Sequence, residues 1–168
     1  MYDKILVPVD GSETSNNGLD QAIQIAKTMH SQLHLVHIVN ELIFDYSYSP
    51  GLYATNVIES MRERGKTIMD EAEAAARKHG LQPESVLLEA IGGPAADLIV
   101  EEARDSRADL IVMGTHGRRG LRRLVLGSDA ENVVRRADIP VLLVHGPART
   151  HALPIGNVRE RTATNLMA

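Results

Sequence analysis

No cysteine occurs in this 168-residue chain. Disulfides and thiolate chemistry are therefore excluded, and a reducing, cytoplasmic setting is expected. Aromatic residues are nearly as scarce. There is one phenylalanine and there are four tyrosines, and Phe44, Tyr46, Tyr48 and Tyr53 crowd into one short stretch. No apolar run approaches the ~18 residues of a membrane-spanning helix. The start, Met1 to Lys4, leads straight into an apolar segment and lacks the apolar core and cleavage site of a signal peptide. Charge of one sign is also lacking: the net charge is −4, which draws the chain neither to nucleic acid nor to an acidic membrane. The remainder, 43% hydrophobic and 24% charged, is the composition of one globular domain with a real core.

Along that domain, strand and helix patterns alternate. Lys4 to Val9 is a short β-branched run and reads as a strand, with Pro8 tolerated only near its end. Asp10, Gly11 and Ser12 form a turn. Ser12 or Ser15 then caps a helix whose apolar residues fall at Leu19, Ala22, Ile23, Ala26 and Met29, a 3.6-residue period. Leu33 to Val39 is the second strand. Asn40 to Thr55, with Pro50 and Gly51 and no sustained period, reads as a long loop. A helix follows from about Asn56 to His79, with Val57, Met61, Ile68, Ala72, Ala75 and Ala76 toward the core and Gly80 as its stop. Its charges, Glu59, Arg62, Glu63, Arg64 and Lys66, read as a solvated face with salt pairs.

Ser85 to Ala90 is a third strand, and Pro94 stands in the first turn of the next helix. Leu110 to Met113 is a fourth strand, Ser128 to Ala137 a helix, and Ile139 to His145 a fifth strand. Five strands separated by helices predict an α/β fold, a parallel sheet covered on both faces. The domain is expected to span 1–147. Residues 148–168, poor in bulky apolar groups, read as a mobile C-terminal tail.

The chemistry concentrates in a glycine pattern with fixed spacing. Gly114 and Gly117 are separated by two residues, and after nine more come Gly127 and Ser128. The pattern lies between a buried-strand sequence and a helix start. A glycine loop there holds phosphate: backbone N–H groups turn inward, no Cβ blocks the approach, and the helix dipole favours the anion. In an open α/β sheet, ligands bind beyond the carboxyl ends of the strands where the strand order reverses. Three segments are expected to meet there: Pro8, Val9 and Asp10; Ile38 and Val39; and Met113 to Ser128. Asp10 would repel phosphate but can accept hydrogen bonds from ribose hydroxyls. The backbone after the second strand can pair with a purine edge. A P-loop is excluded, because no G-x-x-x-x-G-K-[ST] is present. The dinucleotide G-x-G-x-x-G is missing after the first strand, where it belongs.

With these residues in place, the chain resembles the universal stress proteins, specifically their ATP-binding branch. The resemblance covers about residues 2–145. Its specific part is G-x2-G-x9-G-[ST], matched by Gly114, Gly117, Gly127 and Ser128; the segments Ile5 to Ser12, Leu35 to Val39, Asp109 to Gly117 and Ile139 to Val144 support it. The family implies a sheet of order 3-2-1-4-5 in a Rossmann-like adenine nucleotide-binding fold, a homodimer, and an adenine nucleotide at the switch point. By position, Asp10 resembles the family's ribose and adenine acid, and Ile38 its adenine-contacting backbone. Met113 and Gly114 should flank the adenosine, with Gly117, Gly127 and Ser128 at the phosphates. Asp129 departs from the apolar residue often found after the Gly-Ser pair. It either helps to hold Mg²⁺ or favours the helix N-terminus.

Several residues have two readings. Arg118, Arg119, Arg122 and Arg123 either clamp the β- and γ-phosphates or face water. His116 lies in the glycine loop without a nucleophile beside it, so local hydrogen bonding is expected rather than base catalysis. Tyr46, Tyr48 and Tyr53 either form a lid over the nucleotide or pack beneath their loop or against a partner. An edge strand at Val141, Leu142, Leu143 and Val144 would leave apolar groups and backbone donors exposed, which a two-fold dimer would cover. The expected function is a cytoplasmic ATP-binding protein, with Mg²⁺ on the nucleotide, that switches its surface for a protein partner in stress response or signalling. The alternatives are a slow Mg²⁺-dependent ATPase or autophosphorylating protein, and a nucleotide-free dimeric scaffold.

Overall fold

A computed structural model describes residues 1–40, 52–90, 93–115 and 126–145. Five strands alternate with four helices: β1 (Lys4–Pro8), α1 (Glu13–Met29), β2 (Gln32–Asn40), α2 (Leu52–Lys78), β3 (Glu84–Ala90), α3 (Ala95–Asp105), β4 (Leu110–Gly114), α4 (Ser128–Arg136) and β5 (Val141–Val144). Every strand pair is parallel, and the sheet order is β3-β2-β1-β4-β5. The expected fold class and strand order are therefore both observed. Among the described residues, no helix is long and apolar enough to cross a membrane.

Period-two alternation along the buried strands divides the core into two layers. Ile5, Val7, Leu33, Leu35, Leu110 and Val112 meet Leu19, Ala22, Ile23 and Ala26 of α1 and Ile68, Met69, Ala72 and Ala76 of α2. On the other face, Leu6, Val36, Ile111 and Met113 meet Ala96, Ile99, Val100 and Ala103 of α3 and Ala130 and Val133 of α4. Burial of each larger aliphatic side chain contributes about 1.5–3 kcal/mol, so two full layers hold the sheet between the helices.

Caps set the helix ends. Ser12 is the N-cap of α1: its Oγ accepts the Ser15 N–H at 3.2 Å. The second candidate, Ser15, lies inside α1 and has a different task, described below. Gly80 has φ +83°, and Leu81 N–H closes back onto the Ala76 carbonyl at 3.2 Å, so the glycine stop of α2 is in place.

Several strand and helix ends differ from the sequence reading by one residue, and four boundaries differ in a way that the structure explains. Asn40 belongs to β2 and Leu52 to Thr55 to α2, so the connection read as 40–55 is shorter at both ends. The helix starts at Leu52, ahead of the apolar period that begins at Val57. Pro94 is the N-cap of α3 rather than a residue of its first turn; its carbonyl accepts the Asp97 N–H at 3.1 Å. β5 begins at Val141, not Ile139. Pro140 has no N–H to give the ladder, although its carbonyl takes the Ile111 N–H at 3.0 Å. His145 lies just past the strand.

Candidate functional site

The switch point lies between β1 and β4, the central pair from which the chain winds outward in both directions. Pro8 ends β1, with Val9 and Asp10 just past it, and Met113 and Gly114 end β4 beside it. Asp10 is held rigidly by its own turn. Its Oδ1 accepts the Ser12 N–H at 2.9 Å, and its backbone N–H donates to Ser15 Oγ at 3.0 Å. Ser15 is thus a framework residue beneath Asp10, buried in the first turn of α1.

β1 and β2 run in register up to the pair Pro8 and Val36. One residue further, Val9 N–H donates to the Val36 carbonyl at 2.8 Å. In a parallel strand, the N–H and C=O of alternate residues turn to the same side. Ile38, two residues beyond Val36, therefore turns its peptide groups toward the β1 side, past the end of β1. The Val9 carbonyl accepts instead from Nδ1 of His37, at 2.6 Å. A carbonyl can only accept, so Nδ1 carries the ring proton. The His37 side chain is buried under α2, where a Cβ added at Gly65 would lie 2.9 Å from its Cδ2.

Gly114 has a packing role. A Cβ there would stand 2.6 Å from both the carbonyl carbon and the oxygen of Thr14, and 2.9 Å from the Ser15 nitrogen. Gly18, one turn further along α1, would bring its own Cβ to 3.1 Å from the Gly114 nitrogen. The glycine pair lets α1 lie directly on the end of β4, which draws the Asp10 turn to the glycine motif.

Thr115 closes the motif from below. It is buried, its N–H donates to the Val144 carbonyl at 3.0 Å, and its own carbonyl accepts the Gly127 N–H at 2.9 Å. Its hydroxyl lies 3.3 Å from His145 Nδ1. The start of α4 is thereby tied to the end of β4. Gly127 is the N-cap of α4, with φ −62° and ψ 148°, and among the described residues no side chain caps the helix. Those angles suit any residue, so the glycine is not required by backbone conformation. What it leaves is an uncapped N-terminus, with backbone donors and a positive dipole end. Ser128 and Asp129 are exposed at its first turn.

The structure brings Pro8, Val9, Asp10, Met113 and Gly114 together at one end of the sheet, with Ile38 on the flanking strand and Gly127, Ser128 and Asp129 at the attached helix start. His116, Gly117 and Arg118 lie outside the described residues, as do Arg119, Arg122, Arg123, Tyr46, Tyr48 and the segment 148–168. Tyr53 falls in α2. Among the described residues, no cluster of three or more His, Asp or Glu is placed to hold a metal ion. Sequence reading missed Ser15 as a framework residue, Thr115 and His37. For His37 a signal exists: it stands in phase with Leu33 and Leu35, so it must be buried and must find a partner.

Two sets of charge pairs among the described residues lie away from this site and fasten β3. Lys4 Nζ and His34 Nδ1 meet Glu84 Oε2 at 2.8 and 3.2 Å, and these donors hold its carboxyl below the usual range. His34 Nε2 meets Glu102 Oε1 at 2.7 Å, linking β2 to α3. Arg62 grips Glu89 in a two-bond fork at 2.6 and 2.9 Å, which lowers the Glu89 carboxyl likewise.

Comparison with known proteins adds the lineage. The pattern of the Universal stress protein family matches residues 1–145. Universal stress protein MJ0531 of Methanocaldococcus jannaschii is 36% identical over 149 residues, covering 89% of this chain and 85% of the relative. The solved structure of MJ0577 is similar with a TM-score of 0.75 at 27% identity, covering 88% of this chain and 98% of that one. The universal stress protein from Archaeoglobus fulgidus, solved in complex with dAMP, has a TM-score of 0.63 at 27% identity, covering 85% and 98%. With the family pattern spanning nearly all of the described fold, this chain belongs to the universal stress protein family.

Proposed function

We propose that this protein binds an adenine nucleotide, ATP with Mg²⁺, at the β1–β4 switch point and acts as a nucleotide-dependent switch in stress response or signalling. One observation carries the reading: the Thr115–Gly127 hydrogen bond seats an uncapped helix N-terminus at the end of β4, beside the strand that presents Asp10. An anion suits the helix start and a hydroxyl donor suits Asp10, and a nucleotide offers phosphate and ribose a short distance apart. The dAMP complex of the Archaeoglobus relative supports the same class of ligand. In this reading Asp10 receives the ribose, the Ile38 backbone the base, and Gly117, Gly127 and Ser128 the phosphates, with Arg118 and His116 beside them. Mg²⁺ is held mainly by phosphate oxygens and needs only one or two protein carboxylates, a role open to the exposed Asp129.

A second copy of the chain is the partner the sheet edge fits. Among the described strands, β5 pairs with β4 alone, and Leu142 is 38% exposed, so pairing across a two-fold axis would cover both its backbone groups and its apolar side chains.

The test is to denature the purified protein, identify released nucleotide by chromatography, and melt the protein with ATP–Mg²⁺. Co-purified adenine nucleotide, or a rise in Tm reflecting about 2.7 kcal/mol at a hundredfold excess over Kd, is expected. An empty protein with no shift overturns the reading.

A further inference from the structure

We infer that His37 is a positioning residue for the base: its buried imidazole occupies the Val9 carbonyl and so leaves the Ile38 peptide group open to a purine edge. The inference rests on the adenine-nucleotide reading above. In an uninterrupted parallel ladder, the next bond after Val9 N–H to the Val36 carbonyl would run from Ile38 N–H to the Val9 carbonyl. That bond would consume the donor on which a base depends. The Val9 carbonyl meets the His37 ring at 2.6 Å instead, drawn to the α2 side of the sheet, and the β1–β2 register ends at the pair Pro8 and Val36. It also fixes the carbonyl directly before Asp10, whose N–H and carboxylate are already held by Ser15 and Ser12. The ring cannot drift, because α2 lies on it at Gly65, with Leu87 of β3 also against that glycine. His37 reaches this corner from β2, and it touches backbone there.

Three variants separate this role from simple core packing. His37→Leu fills the space without a donor. His37→Asn keeps an N–H donor one bond from Cγ, where Nδ1 stands. His37→Gln has the same chemistry with the donor one bond further out. Kd values for ATP and GTP, measured by calorimetry on folded protein, are the readout. His37→Leu and His37→Gln are expected to lose about tenfold in ATP affinity, the equivalent of one buried hydrogen bond, and to lose much of the preference for adenine over guanine. His37→Asn is expected to recover both. Should His37→Leu fail to fold, the Asn and Gln pair still decides the matter. Wild-type affinity and base preference in folded His37→Gln overturn the inference, as does a fall in Tm with unchanged base preference. A wild-type protein that binds no adenine nucleotide overturns the underlying reading instead.

Discussion

Replacing Gly114 with alanine adds one methyl group where the end of β4 meets the first turn of α1. The new Cβ would lie 2.6 Å from the Thr14 carbonyl, against the 3.4 Å of ordinary contact. The obstacle is backbone on both sides, so no rotamer change relieves it, and α1 or β4 must move by most of that difference. Overpacking of this kind costs about 1–3 kcal/mol. The upper end is expected, because α1 is anchored on the same sheet-facing side by Leu19, Ala22 and Ile23 in the core. For a domain of this size that lowers Tm by about 6–12 °C. Movement of Thr14 and Ser15 also loosens the Asp10 turn, since Asp10 N–H is held by Ser15 Oγ. Nucleotide affinity should therefore fall together with stability. Urea unfolding and ATP titration of the same protein check both. Gly80→Ala is the control: it has φ +83° with nothing within 4 Å of the added carbon. It should cost about 1–2 kcal/mol from left-handed strain alone and leave binding unchanged. A Gly114→Ala protein within 0.5 kcal/mol of wild type, on the order of an ordinary surface substitution, would refute the packing argument.

Ser12→Ala removes the α1 cap and should cost about 1 kcal/mol in urea unfolding; no change would mean that the Ser12–Ser15 bond contributes nothing. The carboxyls of Glu84 and Glu89 are both held below their ordinary range by cationic partners, so each contributes stability above about pH 4.3 that is lost as pH falls through its lowered folded value. Glu84→Gln and Glu89→Gln should flatten the acid limb of a Tm-against-pH curve. The effect at neutral pH should stay under about 1 kcal/mol, because both pairs are solvated; an unchanged acid limb would count against it. If β5 pairs with a second copy as proposed, the wild-type protein should sediment as a dimer and Leu142→Asp as a monomer, with little change in Tm at low concentration; a wild-type monomer, or a dimer that survives the substitution, would count against that interface.

How much of this was legible before any coordinates follows from the range of each interaction. The apolar runs Lys4 to Val9 and Leu110 to Met113, and the periodic residues of α1, report local geometry, and local geometry is written in adjacent residues. Element order and the parallel sheet followed from that alternation, and the order 3-2-1-4-5 from family resemblance. The sequence also determined the spacing of Gly114, Gly117, Gly127 and Ser128, which no fold is needed to see. Boundaries slipped where a local signal was weak, as at Leu52, or where half of a residue's backbone behaves differently from the other half, as at Pro140.

Only the tertiary structure decided why particular residues stand where they do. Gly114 reads as a phosphate glycine in the sequence, yet its missing Cβ is required by Thr14, a hundred positions earlier. Thr115 is unremarked between two glycine-motif residues, yet it joins β4, β5 and α4. His37 is one imidazole among seven until β1 and β2 pair, and then it is the group that decides where their ladder stops. These roles depend on hydrogen bonds and contacts between segments far apart in the chain. Composition and periodicity are local, so they can place a residue in the core but cannot name the atom it meets there.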